Sequence, residues 1–135
     1  AAMRAMQSRG GATVIPASVA GLKAEPGMGP YAASKAAVIQ LARVAAKEGF
    51  ASGIRVNSIA PGGVETPIWR SVAMFDEVAR QQGEEAAFKA MALAATPLGR
   101  FATADEIAAQ IAFLLSDEAA FTTGACLVSD GGYSL

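Results

Sequence analysis

Ala12-Thr13-Val14-Ile15-Pro16-Ala17-Ser18 and Tyr31-Ala32-Ala33-Ser34-Lys35 are the two stretches on which the fold turns. In the first, β-branched residues concentrate in a short apolar run, so Thr13–Ile15 predicts a buried strand. Pro16 cannot donate to a sheet ladder and suits an edge or a strand end, so the strand should stop just before Ser18. The second stretch follows Pro30, a residue at ease at a helix start because its missing N–H has no partner there. Tyr31 therefore belongs to the first turn of a helix running to Glu48, with Ala37, Leu41, Val44 and Ala45 recurring at helical spacing. Gly21 to Pro30, rich in Gly and Pro, is the loop between strand and helix.

Working outward, Ala1–Ser8 has the composition of the last turns of a helix, ended by Gly10-Gly11. Beyond a break at Gly49–Gly53, Ile54–Ala60 predicts a second strand, closed by Pro61-Gly62-Gly63. Thr66–Thr96 is a long helical insertion, expected as two helices over Ile68–Gln82 and Glu84–Ala95 broken at Gly83. Trp69, Met74, Phe75, Phe88 and Met91 give it a large apolar surface. Thr103 with Glu106 three residues on forms a capping box. It opens a helix whose Ile107, Ile111, Leu114 and Leu115 make an apolar stripe. Thr123-Gly124 leads into a last strand, Ala125–Ser129, and Asp130-Gly131-Gly132 turns out of it. Strands alternating with helices in this way imply an α/β fold with a parallel sheet. Ligands of such sheets bind beyond the carboxyl ends of the strands, where Ser18 and the Pro61–Thr66 loop fall.

Tyr31 and Lys35, four residues apart, share one helical face. A phenol with an unperturbed pKa of about 10 is a poor base at neutral pH. A neighbouring ammonium favours its ionised form, and a tuned tyrosine then serves as general acid or base. A serine hydroxyl both donates and accepts, so Ser18 can hold a reacting oxygen. A plain helix-surface pair has the same spacing, and Pro61-Gly62 by itself marks an ordinary turn.

Composition narrows the function classes. The chain of 135 residues suits one domain with a real core. Its 53% hydrophobic content and mean hydropathy of +0.34 exclude a disordered tail. A net charge of −1 without a basic cluster argues against a nucleic-acid partner. The lone Cys126 has no internal disulfide partner and fits a reducing, cytoplasmic compartment. One Cys and no His argue against a transition-metal site. No apolar stretch reaches the ~20 residues that span a bilayer, and the N-terminus has no signal-peptide pattern. Ala1 in place of Met, with a helix apparently begun earlier, predicts a fragment of a longer parent.

Gly10-Gly-Ala-Thr-Val-Ile-Pro-Ala-Ser18, Tyr31-Ala-Ala-Ser-Lys35, Arg55-Val-Asn-Ser-Ile-Ala-Pro-Gly62, Pro97-Leu-Gly-Arg-Phe101, Thr123-Gly124 and Asp130-Gly-Gly132, in this order, resemble the short-chain dehydrogenase/reductase family. The resemblance implies a partial Rossmann-like, doubly wound parallel sheet of about three strands. Residues 1–135 would be the C-terminal catalytic part of a single domain, without its N-terminal dinucleotide-binding half. It implies NAD- or NADP-dependent interconversion of an alcohol and a ketone or aldehyde. Tyr31 would be proton donor and acceptor, Lys35 would tune it and hold the nicotinamide ribose, and Ser18 would orient the substrate. Val64 and Thr66, in the turn opened by Pro61 and Gly62, would contact the nicotinamide. The insertion would be a substrate lid with Trp69 near the reacting ring, and the parent a homotetramer acting on a small molecule. Pro16-Ala17 departs from the polar Asn-x-Ser run common in the family, and no glycine-rich phosphate loop precedes it. The competing expectation is a non-catalytic binding or assembly module, dimerising through the Tyr31–Glu48 helix. With the Thr13–Ile15 edge unpaired, the isolated chain is expected to be inactive, and poorly soluble or oligomeric.

Overall fold

Strands β1 (Gly11–Pro16), β2 (Ile54–Pro61) and β3 (Cys126–Ser129) form one parallel sheet in the order β1-β2-β3. Residues 2–135 are described by the computed structural model; Ala1 lies outside them. β2 is central and buried, with Val56, Ile59 and Ala60 in the core. β1 pairs only with β2 among the described residues, Gly11 opposite Ile54 through Pro16 opposite Ile59, and is the expected edge. Pro16 ends the strand, and the Ala17 N–H resumes the ladder by donating to the Ile59 carbonyl at 2.8 Å.

The helices are α1 (Ala2–Met6), α2 (Gly29–Gly49), α3 (Ala73–Gln82), α4 (Glu84–Ala95) and α5 (Ala104–Leu115). Helix α2 links β1 to β2 and packs against both. Its buried face is Ile39, Ala42, Ala46 and Gly49. This corrects the expected stripe: Leu41 and Val44 are 58% and 44% exposed, and Ala37 faces out with them. The reason is close approach. A Cβ on Gly49 would lie 2.8 Å from the Ile54 carbonyl oxygen. Only the small-residue face fits against the strand, so the larger side chains point away from it. Leu115 of α5 likewise turns out to be exposed while Leu114 is buried.

A second correction concerns Ile68–Gln82. Pro67–Ser71 forms a 3₁₀ turn, Val72 is extended, and α3 starts only at Ala73. The tight turn lets the Trp69 indole reach five residues back to the Val64 carbonyl (2.8 Å) and stack on Phe101 (centroids 4.9 Å apart, rings inclined 25°). Phe75 and Phe88 complete this aromatic cluster.

Buried polar groups in β2 explain the Arg55-Val-Asn motif structurally. The Asn57 amide donates to the Thr122 carbonyl (2.9 Å) and accepts from the Ala125 N–H (3.0 Å). The Arg55 guanidinium donates to the carbonyls of Leu114, Thr122 and Ser116, capping the C-terminal end of α5. Among the described residues no helix is long and apolar enough to cross a membrane. No cluster of potential metal ligands occurs among them either.

The capping box of α5 forms as expected, and Arg100 adds a fork onto both Glu106 oxygens (2.6 and 2.7 Å). The Arg100 hydrogen bonds, then the Thr103 backbone N–H, hold the Glu106 carboxyl down from 4.5 to about 2. A depressed carboxylate contributes stability above its unfolded pKa and loses it as pH falls through the folded value. Glu106→Gln should therefore lower the melting temperature by about 1–3 °C at pH 7, a modest figure because the group is solvent-screened. The gap from wild type should close between pH 4.5 and about 2. A gap independent of pH would mean that packing, not charge, is what the substitution removes.

Candidate active site

Ser18 leaves β1 extended (φ −167°, ψ 153°) and caps the 3₁₀ turn Val19–Gly21, its Oγ accepting from the Ala20 N–H at 3.2 Å. That bond uses a lone pair and leaves the hydroxyl proton free to donate. Gly21 then presses on α2: a Cβ there would lie 2.7 Å from the Lys35 carbonyl carbon and 2.8 Å from the Ala36 nitrogen. This contact seats the Ser18 turn one helical turn beyond Tyr31. Tyr31 stands in the first turn of α2, 45% exposed, and with Ser18 lines one cavity of about 390 Å³. Lys35 Nζ lies 5.6 Å from the Tyr31 ring centroid. No carboxylate pairs with Lys35 among the described residues.

The facing wall is the loop after β2. Gly62 donates to the Ser129 carbonyl (2.9 Å) and abuts Asp130, whose Cα would be 2.9 Å from an added Cβ. A Cβ on Gly63 would run into the Phe101 ring. The Ala102 N–H donates to the Gly63 carbonyl (3.0 Å) and the Ala102 carbonyl accepts from the Glu65 N–H (2.9 Å), so a short parallel bridge fixes Val64. The Val64 carbonyl accepts from Trp69 Nε1 and, at 3.4 Å, from Thr66 Oγ1. Gly62 and Trp69 line the same cavity as Ser18 and Tyr31. Lys35, Pro61 and Val64 flank it without lining it, and Thr66 lines a separate cleft of about 140 Å³ beside Arg70 and Phe88.

Sequence reasoning missed Glu25, Met28, Thr96, Phe101 and Tyr133, which also line the cavity. Tyr133 is brought there by the Asp130 turn, whose carboxylate accepts from the Gly132 (3.0 Å) and Ser134 (2.9 Å) amides. Burial pushes the Asp130 carboxyl up, but these bonds outweigh it and the net shift is downward. The Tyr133 hydroxyl donates to Glu25 Oε1 at 2.8 Å, across 108 residues of sequence. Lys23 Nζ lies 3.3 Å from the same carboxylate oxygen, donates to the Tyr133 carbonyl (2.8 Å) and sits 3.8 Å above its ring. The Tyr133 hydrogen bond and then Lys23 lower the Glu25 pKa, while burial and then Glu25 raise that of Tyr133. Only the Gly-Gly turn hinted that the tail folds back, and nothing in it names a partner.

A protein-family model described as enoyl-(acyl carrier protein) reductase matches residues 1–134. The chain is 41% identical over 127 residues to the 3-oxoacyl-(acyl-carrier-protein) reductase FabG of Thermotoga maritima, covering 94% of this chain and 47% of that protein. It is 42% identical over 134 residues to the cis-4-hydroxycyclohexanecarboxylate dehydrogenase of Sinomonas cyclohexanicum, covering 98% and 49%. The L-sorbose reductase of Gluconobacter frateurii, crystallised with NADPH and L-sorbose, superposes with a TM-score of 0.86 at 30% identity, over 97% of this chain and 50% of that one. The chain belongs to the short-chain dehydrogenase/reductase family. It spans about half the length of the curated relatives it matches.

Proposed function

We propose that this chain carries the proton-transfer and nicotinamide-facing part of an NAD- or NADP-dependent oxidoreductase that interconverts an alcohol and a ketone or aldehyde. The carrying observation is the convergence of Ser18 and Tyr31 on one cavity with the Lys35 ammonium 5.6 Å from the tyrosine ring. The residues present fit the nicotinamide end of such a cofactor. Lys35 offers an ammonium free of carboxylate partners among the described residues, the Gly62-Gly63 backbone is bare of Cβ atoms, and Val64 and Thr66 stand beside them, the Val64 carbonyl already accepting from Trp69 and Thr66. Lys35 would hold the ribose, and Val64 with Thr66 the carboxamide. The pyrophosphate end has no such counterpart: among the described residues no glycine-rich loop joins a strand end directly to a helix N-terminus. On this reading the chain would supply the catalytic part of the domain.

When bound, the cofactor accepts or gives the hydride. The chain's own residues handle the proton. Ser18 donates its free O–H to the carbinol or carbonyl oxygen and holds it near the Tyr31 hydroxyl. In oxidation Tyr31, as phenolate, takes the alcohol proton; in reduction it returns one. The Lys35 ammonium stands 5.6 Å from the Tyr31 ring. The cavity is of ordinary ligand size, and Met28, Trp69 and Phe101 make its walls mostly apolar. A ring alcohol suits it, a reading supported by the hydroxycyclohexanecarboxylate relative. A protein that carries these residues together with a dinucleotide-binding half should reduce NAD or NADP in the presence of cyclohexanol-type substrates, followed by nicotinamide absorbance. Complete inactivity with both cofactors across ring and open-chain alcohols would overturn the reading.

The exposed Leu41 and Val44 on α2 favour a homo-oligomer, a tetramer, assembled through that helix. A monomer in sedimentation at micromolar concentration would refute it. The lone Cys126 accords with a cytoplasmic location.

Trp69 is given two jobs by its geometry, and two substitutions separate them. Trp69→Phe keeps the stacked ring and removes the N–H on Val64, so it should raise the cofactor KM by about 3–10-fold, the loss of one hydrogen bond. Trp69→Ala should also raise the substrate KM, since a closing lid positions substrate. Unchanged KM values with a collapsed melting temperature would reduce Trp69 to a core residue.

A further inference from the structure

We propose that Glu25, held in place by Tyr133, is a second recognition point for the substrate, a carboxylate that accepts a hydrogen bond from a hydroxyl distant from the reacting carbinol. The site would then prefer diols and polyhydroxy compounds to mono-alcohols and disfavour substrates with a distal carboxylate. The proposal rests on the alcohol-oxidoreductase reading and names its substrate class.

Glu25 is the sole formally charged side chain among the residues lining the cavity of Ser18 and Tyr31. The others are apolar or carry neutral hydroxyls. A surface glutamate is ordinarily a mobile group, and this one is not. Its Oε1 accepts from the Tyr133 hydroxyl at 2.8 Å and faces Lys23 Nζ at 3.3 Å. Tyr133 is itself fixed, its carbonyl accepting from Lys23 at 2.8 Å and its ring lying under the same ammonium at 3.8 Å. The Asp130 carboxylate ties the turn that carries it. An ionised carboxylate has acceptor capacity on both oxygens. Among the described residues Oε2 has no hydrogen-bond partner, so Glu25, which lines the cavity, keeps acceptor capacity. Lys23, whose Nζ lies 3.3 Å from Oε1, is not among the lining residues. A fixed, ionised acceptor in a mostly apolar chamber rewards an O–H aimed at it. It also repels a second carboxylate.

A purely structural tie between loop and tail would need the Tyr133–Glu25 bond but would show no substrate dependence. The test is therefore a ratio. In a protein that carries these residues together with a dinucleotide-binding half, wild-type kcat/KM is measured with trans-1,4-cyclohexanediol, cyclohexanol and 4-hydroxycyclohexanecarboxylate, using whichever of NAD and NADP is reduced. The diol should exceed cyclohexanol by about 10-fold, well below the discrimination of a fully buried polar site because the Glu25 side chain is 36% exposed. The carboxylate should fall below the diol by at least that factor. Glu25→Ala should bring the diol-to-cyclohexanol ratio near one. Glu25→Gln, which keeps an acceptor but no charge, should retain part of the diol preference and relieve the penalty on the carboxylate. Equal wild-type kcat/KM for diol and cyclohexanol, or ratios unmoved by both substitutions, would overturn the proposal while leaving the oxidoreductase reading intact. No turnover of any of the three would instead overturn the oxidoreductase reading and this proposal with it.

Discussion

Tyr31→Phe should lower kcat by about 10²–10⁴-fold, the usual cost of one general acid/base, while cofactor affinity stays close to wild type. The substitution removes one oxygen, which makes no side-chain hydrogen bond among the described residues, and leaves the ring, which stands 45% exposed in the first turn of α2. Stability should therefore hold, and the loss can be read as chemistry. Lys35→Met gives the complementary result. One ammonium, 5.6 Å from the Tyr31 ring, is assigned both to the phenolate and to the ribose. Its loss should weaken cofactor binding and lower kcat together. Wild-type kcat in Tyr31→Phe would end the mechanism. A Lys35→Met enzyme with unchanged cofactor affinity and kcat would leave Lys35 a surface residue.

The readable part of this protein was the part governed by local rules. Strand positions followed from β-branched apolar runs, and the α5 start from Thr103 and Glu106, whose reciprocal bonds lie within a single turn. Tyr31 beside Lys35 followed from helical spacing alone. Periodicity failed where a face was chosen by steric fit. In α2 it pointed to Leu41 and Val44, yet the sheet took Ala42, Ala46 and Gly49, because closeness to Ile54 decided the packing. It failed again at Ile68–Gln82, where the bond from Trp69 to Val64 replaced the first helical turns by a 3₁₀ turn. The cavity wall formed by Glu25 and Tyr133 was illegible for another reason. Its two halves are 108 residues apart, and only the folded Asp130 turn brings them together.

Gly21→Ala should be the most damaging substitution outside the reacting groups. No positive φ is demanded at Gly21, so backbone conformation is not the obstacle. Space is. The added Cβ would meet the Lys35 carbonyl carbon at 2.7 Å, the Ala36 nitrogen at 2.8 Å and the Lys35 oxygen at 2.9 Å, all main-chain atoms of a helix that cannot yield locally. The 3₁₀ turn must therefore back away from α2 by about 1 Å, an overpacking that costs about 1–3 kcal/mol. Ser18 caps that turn through the Ala20 N–H, so it moves too, away from Tyr31. A misplacement of about 1 Å can cost on the order of 10²-fold in rate, and kcat/KM should fall by about 10–100-fold. Gly27→Ala is the matched control. Gly27 has φ +81° with nothing within 4 Å of an added Cβ, so alanine there is strained but crowds no neighbour. It should lose about 1–2 kcal/mol of stability and keep its kcat/KM. If the two variants lose activity in proportion to stability, crowding at Lys35 has no special role. If Gly21→Ala alone loses kcat/KM, the missing Cβ of one glycine is what holds Ser18 beside Tyr31.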